Sequence, residues 1–422
     1  MTTNPEAPMP AIARPTHVPM SQFAEQGGEL VVGGMKLTRL AARVGRTPFF
    51  AYDRGLLRAR VAELRAALPR AIKLHYAMKA NPMPALVGFM AGLVDGIDVA
   101  SAGELKVALD AGADPAEVSF AGPGKRDPEL HQAVAAGVLV NVESLRELPV
   151  LAAAARELGV PARVAVRVNP DFELKGSGMK MGGGPKQFGV DVEVVPEMLT
   201  TIARDPQHLA FEGFHIFSGS QNLRADSICD AQRKSYELAL RLASEAKLPV
   251  RFLNLGGGFG IPYFPGDTRL ELAPIGANLA ALVERAKREM PQAQLVIELG
   301  RYFVGEAGVY VTRIVDRKVS RGQVFLVADG GLHHHLAASG NFGQVVRKNY
   351  PVAIGNKMGA MATEPASLVG PLCTPLDILG DRMELPVAEV GDLAVVFQSG
   401  AYGASSSPQN FLGHPNCVEV LV

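Results

Sequence analysis

The chain reads as an α/β protein, a (β/α)8 barrel of the TIM type followed by a mainly β C-terminal domain. Three observations predict this. Between Lys73 and Glu298, eight short apolar runs alternate with segments of helical spacing. After Arg301 the texture changes to Val-rich alternation broken by loops rich in Gly, His and Asn. Polar residues or glycines stand at the ends of the eight runs, where barrel enzymes keep their chemistry.

In chain order, residues 1–28 are rich in Pro, Ala and polar residues without periodicity and read as a flexible arm that docks on the body or on a partner subunit. Residues 29–50 form a segment expected to join the β domain, with a strand at Glu29–Val32, a helix at Leu37–Val44 and a strand at Thr47–Tyr52. Gly55–Leu68 has helical spacing, with Leu56, Val61, Leu64 and Leu68 on one face. The barrel is expected over residues 51–301. Its strands are Leu74–Met78, Gly96–Val99, Val118–Ala121, Leu139–Val142, Arg163–Val168, Phe211–Phe217, Phe252–Leu255 and Leu295–Glu298. Helices are expected at Ala102–Ala111, Glu129–Ala136, Ser144–Leu158, Val195–Ala203, Ser227–Ala246 and Gly276–Glu289. A doubly wound open sheet is the alternative, because strand counting does not prove closure. The β domain, residues 302–422, should contain strands at Val309–Lys318, Gln323–Asp329, Pro386–Val390, Leu393–Val396 and Cys417–Val422.

Composition narrows the function. The 422 residues carry 42 basic and 42 acidic side chains, so nothing calls for nucleic acid or an anionic membrane. No apolar run is long enough to span a bilayer, and no charged leader with an apolar stretch marks secretion. The three cysteines, Cys229, Cys373 and Cys417, are too far apart for a disulfide framework or a zinc site, and a cytoplasmic location is expected. His333, His334 and His335 are adjacent and point in different directions, so no metal site is expected.

The strand Ile72–Met78 delivers Lys79 at its carboxyl end, and Asn81-Pro82 breaks it. Burial there would lower the lysine pKa and free the amine for Schiff-base chemistry, although a lone lysine is ordinarily a snorkelling surface residue. Gly256, Gly257 and Gly258 open a run that can turn backbone N–H groups onto a phosphate, or simply form a turn. Glu298 and Arg301 close the eighth strand, as a proton holder and a phosphate partner or as a surface ion pair. His215, with Ser218 and Ser220, ends the sixth strand and can stack on an aromatic ring or be a core histidine. Arg167 ends the fifth strand; Asp98, Ser101 and Glu104 follow the second. Cys373 in GPLC and Tyr402 in GAY lie in the C-terminal domain, where Cys373 is a proton donor or a small hydrophobe.

Together, YAMKAN, DVASAGE, RVNP, HIFSGSQ, GGGFG, ELGR, GPLC and GAY span about Thr47 to Tyr402. In that order they resemble the fold-type III pyridoxal-phosphate-dependent decarboxylases, the family of diaminopimelate and ornithine decarboxylases. SGSQN, DGGLHHHLAASGNFGQ and NYPVAIGNK look like the subgroup named exosortase A system-associated pyridoxal-dependent decarboxylases. The resemblance implies that Lys79 holds pyridoxal 5'-phosphate as an aldimine and that His215 stacks on its ring. It assigns Gly256, Gly257, Gly258, Arg301, Tyr402 and a serine, Ser218 or Ser220, to the phosphate. Glu298 is assigned to the ring nitrogen, Arg167 to the ring's oxygen side, and Asp98 to the cofactor contacts. Cys373 should come from the second subunit of a homodimer, whose active sites lie at the interface, and return a proton after carbon dioxide leaves. Thr374, Asp377, Asp329, Arg347 and Tyr350 are expected on the substrate side.

The chain departs from the family pattern at Leu299, where proline is usual, and at Thr374, where diaminopimelate and ornithine decarboxylases carry an acid that reads a distal ammonium. Threonine cannot supply that charge, although Asp377 lies in the same loop. The stretch 176–186, with Lys175, Lys180 and Lys186, is basic and reads as a solvated face. The expected activity is therefore α-decarboxylation of an amino acid, free or tethered to a carrier protein. Diaminopimelate decarboxylation, racemisation on the same fold and a non-enzymatic pyridoxal-phosphate regulator are the alternatives. Glu298 speaks against a racemase, since those pair the ring nitrogen with arginine.

Overall fold

The computed structural model describes residues 15–173, 176, 178–344 and 346–422. The start of the arm, Lys175 and the Lys180 side chain lie outside the described residues.

Eight strands pair in parallel, in chain order: Lys73–Ala77, Gly96–Val99, Val118–Phe120, Leu139–Val142, Ala162–Asn169, Leu209–His215, Phe252–Gly257 and Gln294–Leu299. The last pairs with the first, with Glu298 opposite His75, so the sheet closes into a barrel and the open-sheet alternative is excluded. Strands covered on both faces read as continuous apolar runs, which is why they were legible. The runs are interrupted by buried Asp98, Asn141, Arg167, His215, Asn254 and Glu298. Gly213, at φ +151°, marks a register shift against the fifth strand; a Cβ there would overlap the carbonyl oxygen of Phe252.

The helix Arg54–Ala67 starts at Asp53, whose carboxylate accepts from the N–H groups of Gly55 and Leu56, satisfying donors that the first turn leaves open. It buries Leu57, Val61 and Leu64, each contributing about 1.5–3 kcal/mol of apolar burial. Ser101 caps Ala102–Asp110 in the same way. The helix Pro84–Ala91 was not anticipated: PALVGFMA is apolar on every side and has no period to read.

The strand Gly308–Ser320 organises the second unit. Its first half pairs with Leu393–Val396 and Phe49–Tyr52, its second half with Gln323–Ala328. Thr363–Val369 and Ile378–Pro386 extend the sheet beyond Gln323–Ala328. Phe49–Tyr52 also takes Val418–Leu421 as a parallel neighbour. The expected strand Pro386–Val390 is corrected. The chain leaves the sheet at Pro386, and Asp392 accepts from the N–H of Glu389 in a turn that holds Gly391 at φ +100°. The described part of the arm lies against the body: Gly266 N–H donates to the Thr16 carbonyl, and His17 Nε2 to that of Asn349. Among the described residues, no helix is long and apolar enough to cross a membrane.

Candidate active site

A cavity of about 530 Å³ opens at the carboxyl ends of the barrel strands, and Lys79 lines it. Lys79 sits in the single turn Met78–Ala80 that ends the first strand. That turn is clamped to the β domain. Tyr402 N–H donates to the Ala80 carbonyl at 2.7 Å, and Asn81 Nδ2 donates to the Gly400 carbonyl at 2.9 Å. The cavity leaves 41% of the Lys79 side chain accessible, so the amine is open to a ligand.

Lys79 Nζ lies 3.5 Å from Glu298 Oε1, and the other Glu298 oxygen lies 3.0 Å from His215 Nε2. Burial works to raise the Glu298 pKa, but Lys79, His215 and Arg167 outweigh it and hold the carboxyl well below its usual range. The expectation that burial lowers the Lys79 pKa is corrected. Burial does act in that direction, but the Glu298 carboxylate reverses it and the net direction is upward. The amine and the carboxylate thus form an ion pair at the cavity mouth.

The other expected cofactor residues occupy the same mouth. Asp98, Arg167, Ser220, Gly258, Arg301 and Tyr402 line the cavity. Gly256 and Gly258 have φ of +70° and +74°, and a Cβ at Gly257 would overlap the Glu298 carbonyl oxygen. Ser218 is buried beside the cavity, its carbonyl accepting from Met181 N–H. Arg301 donates to the Tyr263 hydroxyl at 2.9 Å and lies over the Tyr402 ring. Tyr350, its ring tilted 38° against that of Tyr263 with centroids 4.7 Å apart, stands behind this cluster and does not line the cavity.

Three more of the residues expected on the substrate side also lie outside the cavity lining of their own chain. Asp377 is buried and accepts from the N–H groups of Leu332 and Leu372. Asp329 accepts from Thr47, Thr312 and the Arg313 N–H. Arg347 donates to the carbonyls of Ser339 and Ile378. Each holds a loop of the β domain together, and none lines the cavity. Cys373 is exposed and Thr374 half-buried, both away from the Lys79 cavity of their own chain.

The residues that sequence reasoning missed come from strand ends and from one excursion. Phe217 follows the sixth strand, and Lys79 Nζ lies 5.3 Å from its ring centroid. Glu143 immediately follows the fourth strand, a position that the strand-end rule covers. Gln187 and Phe188 reach the cavity from the excursion after the fifth strand, and no local pattern announced them.

These residues fit a planar heterocycle bearing a phosphate. Arg301 Nε and His215 Nδ1 are buried without a partner among the described residues, and the glycine run beside the cavity forms a cradle in which a side chain at Gly257 would collide. The barrel, the lysine at its mouth and this cradle define an enzyme class that binds pyridoxal phosphate through an amine. The chain belongs to the pyridoxal-dependent decarboxylase family: the family's pyridoxal-binding domain matches residues 54–305. Its activity is that of a pyridoxal-phosphate-dependent carboxy-lyase acting on an amino acid. It is 38% identical to the L-glutamyl-[BtrI acyl-carrier protein] decarboxylase of Niallia circulans, over 92% of this chain and 91% of that protein. It is 33% identical to the diaminopimelate decarboxylase of Aquifex aeolicus, over 94% and 91%. The crystal structure of the M. jannaschii diaminopimelate decarboxylase with L-lysine superposes with a TM-score of 0.85 at 26% identity, covering 95% of this chain and 92% of that one.

Proposed function

We propose that Lys79 is the amine that holds the cofactor and that the enzyme removes the α-carboxylate of its amino-acid substrate at this lysine. The observation that carries the reading is the Lys79–Glu298–His215 arrangement at the mouth of the barrel, beside the glycine cradle. Pyridoxal phosphate, when bound, supplies the electron sink that makes loss of carbon dioxide feasible. The chain's residues supply the rest. Glu298, kept ionised by its neighbours, holds a proton at the ring nitrogen. His215, fixed by Glu298, offers its ring face to the heterocycle. The glycine run, Ser220 and Arg301 take the phosphate. Val99, Phe217 and Phe259 line the cavity and limit water around the reacting carbon. Lys79 Nζ, or the Cys373 thiol of a second copy, returns a proton to the α-carbon. The second-copy reading rests on the exposure of Cys373 together with exposed Phe342 and Leu376, whose loops meet where Asn341 Nδ2 donates to the Leu376 carbonyl. Phe342 in turn lies 6.2 Å from the Tyr402 ring at the cavity mouth.

For the substrate, the comparisons favour diaminopimelate, whose decarboxylases recur among the similar sequences and the similar structures. A second reading, an amino acid tethered to an acyl-carrier protein, is favoured by Thr374 and by the 38% identity to the glutamyl-carrier enzyme. The narrower likeness to the exosortase-associated subgroup rests on the sequence segments alone. The test offers diaminopimelate and a glutamyl-loaded carrier protein in parallel to the enzyme with pyridoxal phosphate. Carbon dioxide and lysine from diaminopimelate support the first reading. Loss of carbon dioxide from the carrier species alone, seen by mass spectrometry, supports the second. Turnover of neither overturns both.

A further inference from the structure

Beside the cavity four charged side chains are buried together: Lys125, Glu143, Glu147 and the cavity-lining Arg167. Two positive and two negative groups make the cluster neutral. Lys125 Nζ pairs with Glu147 Oε1 at 3.1 Å and donates to the carbonyls of Gly122 and Asn141. The second Glu147 oxygen accepts from the Glu143 N–H at 3.1 Å. Glu143 is the hub. Its Oε1 accepts from Arg167 at 2.8 Å and from Gly122 N–H at 2.6 Å, and its Oε2 accepts from Gly189 N–H at 2.9 Å.

Those three donors lie on three separate pieces of the cavity wall. Arg167 lines the cavity from the fifth strand, Gly122 and Pro123 line it after the third, and Gln187 and Phe188 line it from the excursion that ends at Gly189. Arg167 also lies 5.0 Å from the Phe188 ring centroid, so the pieces touch each other. At Gly189, with φ +69°, the excursion presses against the fifth strand: a Cβ would sit 2.7 Å from the Arg167 carbonyl oxygen. Buried ion pairs rarely stabilise a fold better than apolar packing would, but they fix geometry where several groups must meet. This cluster stands below the ends of the third to fifth strands, away from the glycine cradle and Arg301 on the seventh and eighth.

We propose that Glu143 is a positioning residue that assembles the wall of the cavity facing the substrate, by fixing Arg167, the Gly122 turn and the Gly189 end of the excursion with one carboxylate. The proposal rests on the decarboxylase site described above. In Glu143→Gln, one of the two oxygens becomes an NH2 group set against a backbone or guanidinium donor, so the three-way tie is lost while the shape is kept.

The test uses the full-length holoenzyme and whichever of the two substrates the wild type turns over. Glu143→Gln should raise KM roughly tenfold while kcat stays within about threefold; the Kd for pyridoxal phosphate, whose phosphate is assigned to the glycine run and Arg301 on the far side, should rise by no more than about threefold through Arg167. Glu143→Asp, which keeps the charge but shortens the reach, should fall between. An unchanged KM, or a KM and a cofactor Kd that rise by the same factor, overturns the proposal. If Glu143→Gln does not fold, Glu143→Asp decides alone: a raised KM with an unchanged cofactor Kd supports it, and wild-type KM overturns it. A wild type inactive on both substrates refutes the substrate readings instead. The readout is then limited proteolysis of the 182–189 segment, which should be cut faster in Glu143→Gln at unchanged cofactor Kd; equal rates overturn the proposal.

Discussion

His335 should make the fold acid-sensitive, and the structure sets both sign and size. The ring is buried between Phe50, Tyr310 and Tyr350. Its Nδ1 accepts from the Ala338 N–H, so Nε2 carries the proton and meets Ser399 Oγ at 2.9 Å. A second proton at Nδ1 would face the Ala338 N–H. Burial pushes the pKa from the ordinary 6.5 down to about 3. Because the folded-state pKa is depressed, the stability this histidine contributes is complete above about pH 6.5 and is lost as pH falls toward about 3. The slope is about 1.4 kcal/mol per pH unit, which amounts to about 2 kcal/mol lost by about pH 5. His335→Asn keeps an acceptor for Ala338 but removes the titrating ring. At about pH 8 it should cost about 3 kcal/mol, from the cavity and the lost Ser399 contact. The assay is urea unfolding of both proteins at several pH values between about 8 and 5, with a common slope m. The deficit of the variant should shrink to about 1 kcal/mol at the acid end. A deficit that stays constant across the range would refute the account of His335 as a buried, neutral ring.

Three further outcomes follow from the site. With the second copy's Cys373 as the proton donor, Lys79→Ala and Cys373→Ala should each lose nearly all formation of the amine product, and a refolded mixture of the two should recover about a quarter of wild-type activity, since half the dimers would carry one intact site; no recovery refutes the shared site. Gly257→Ala should raise the pyridoxal-phosphate Kd by roughly tenfold or more, because the Cβ displaces the Glu298 carbonyl; fluorescence titration measures it. Glu298→Gln should lower kcat by about 10²–10³ and move the pH dependence of Lys79–cofactor bond formation to lower pH, because the carboxylate that raises the lysine pKa is gone.

Lys79, His215, the glycine run, Glu298 and Arg301 were legible because each stands at the end of an apolar run, and a parallel barrel sends all such ends to one mouth. Asp329, Arg347 and Asp377 were not separable in the sequence from backbone ties, because a polar residue in a loop looks the same whether it faces a ligand or ties down its own backbone. Only the position of Leu332 N–H and Leu372 N–H around Asp377 separates the two. Thr363–Val369 and Ile378–Pro386 escaped notice since Pro365 and Pro386 blur the alternation that marks a strand.

By itself the sequence determined the barrel's strands, the order in which polar groups reach its mouth and the chemistry that a lysine, a carboxylate and a glycine cradle can share. Those depend on local period and residue type. The tertiary structure decided what depends on distance through space: closure of Gln294–Leu299 onto Lys73–Ala77, the Glu298 carboxylate that turns the Lys79 pKa upward, and the Glu143 hub that joins three cavity walls. No spacing along the chain encodes these, because each joins residues from separate strands that meet only when the sheet is assembled and, for Lys79 and Glu298, only when the ring is closed.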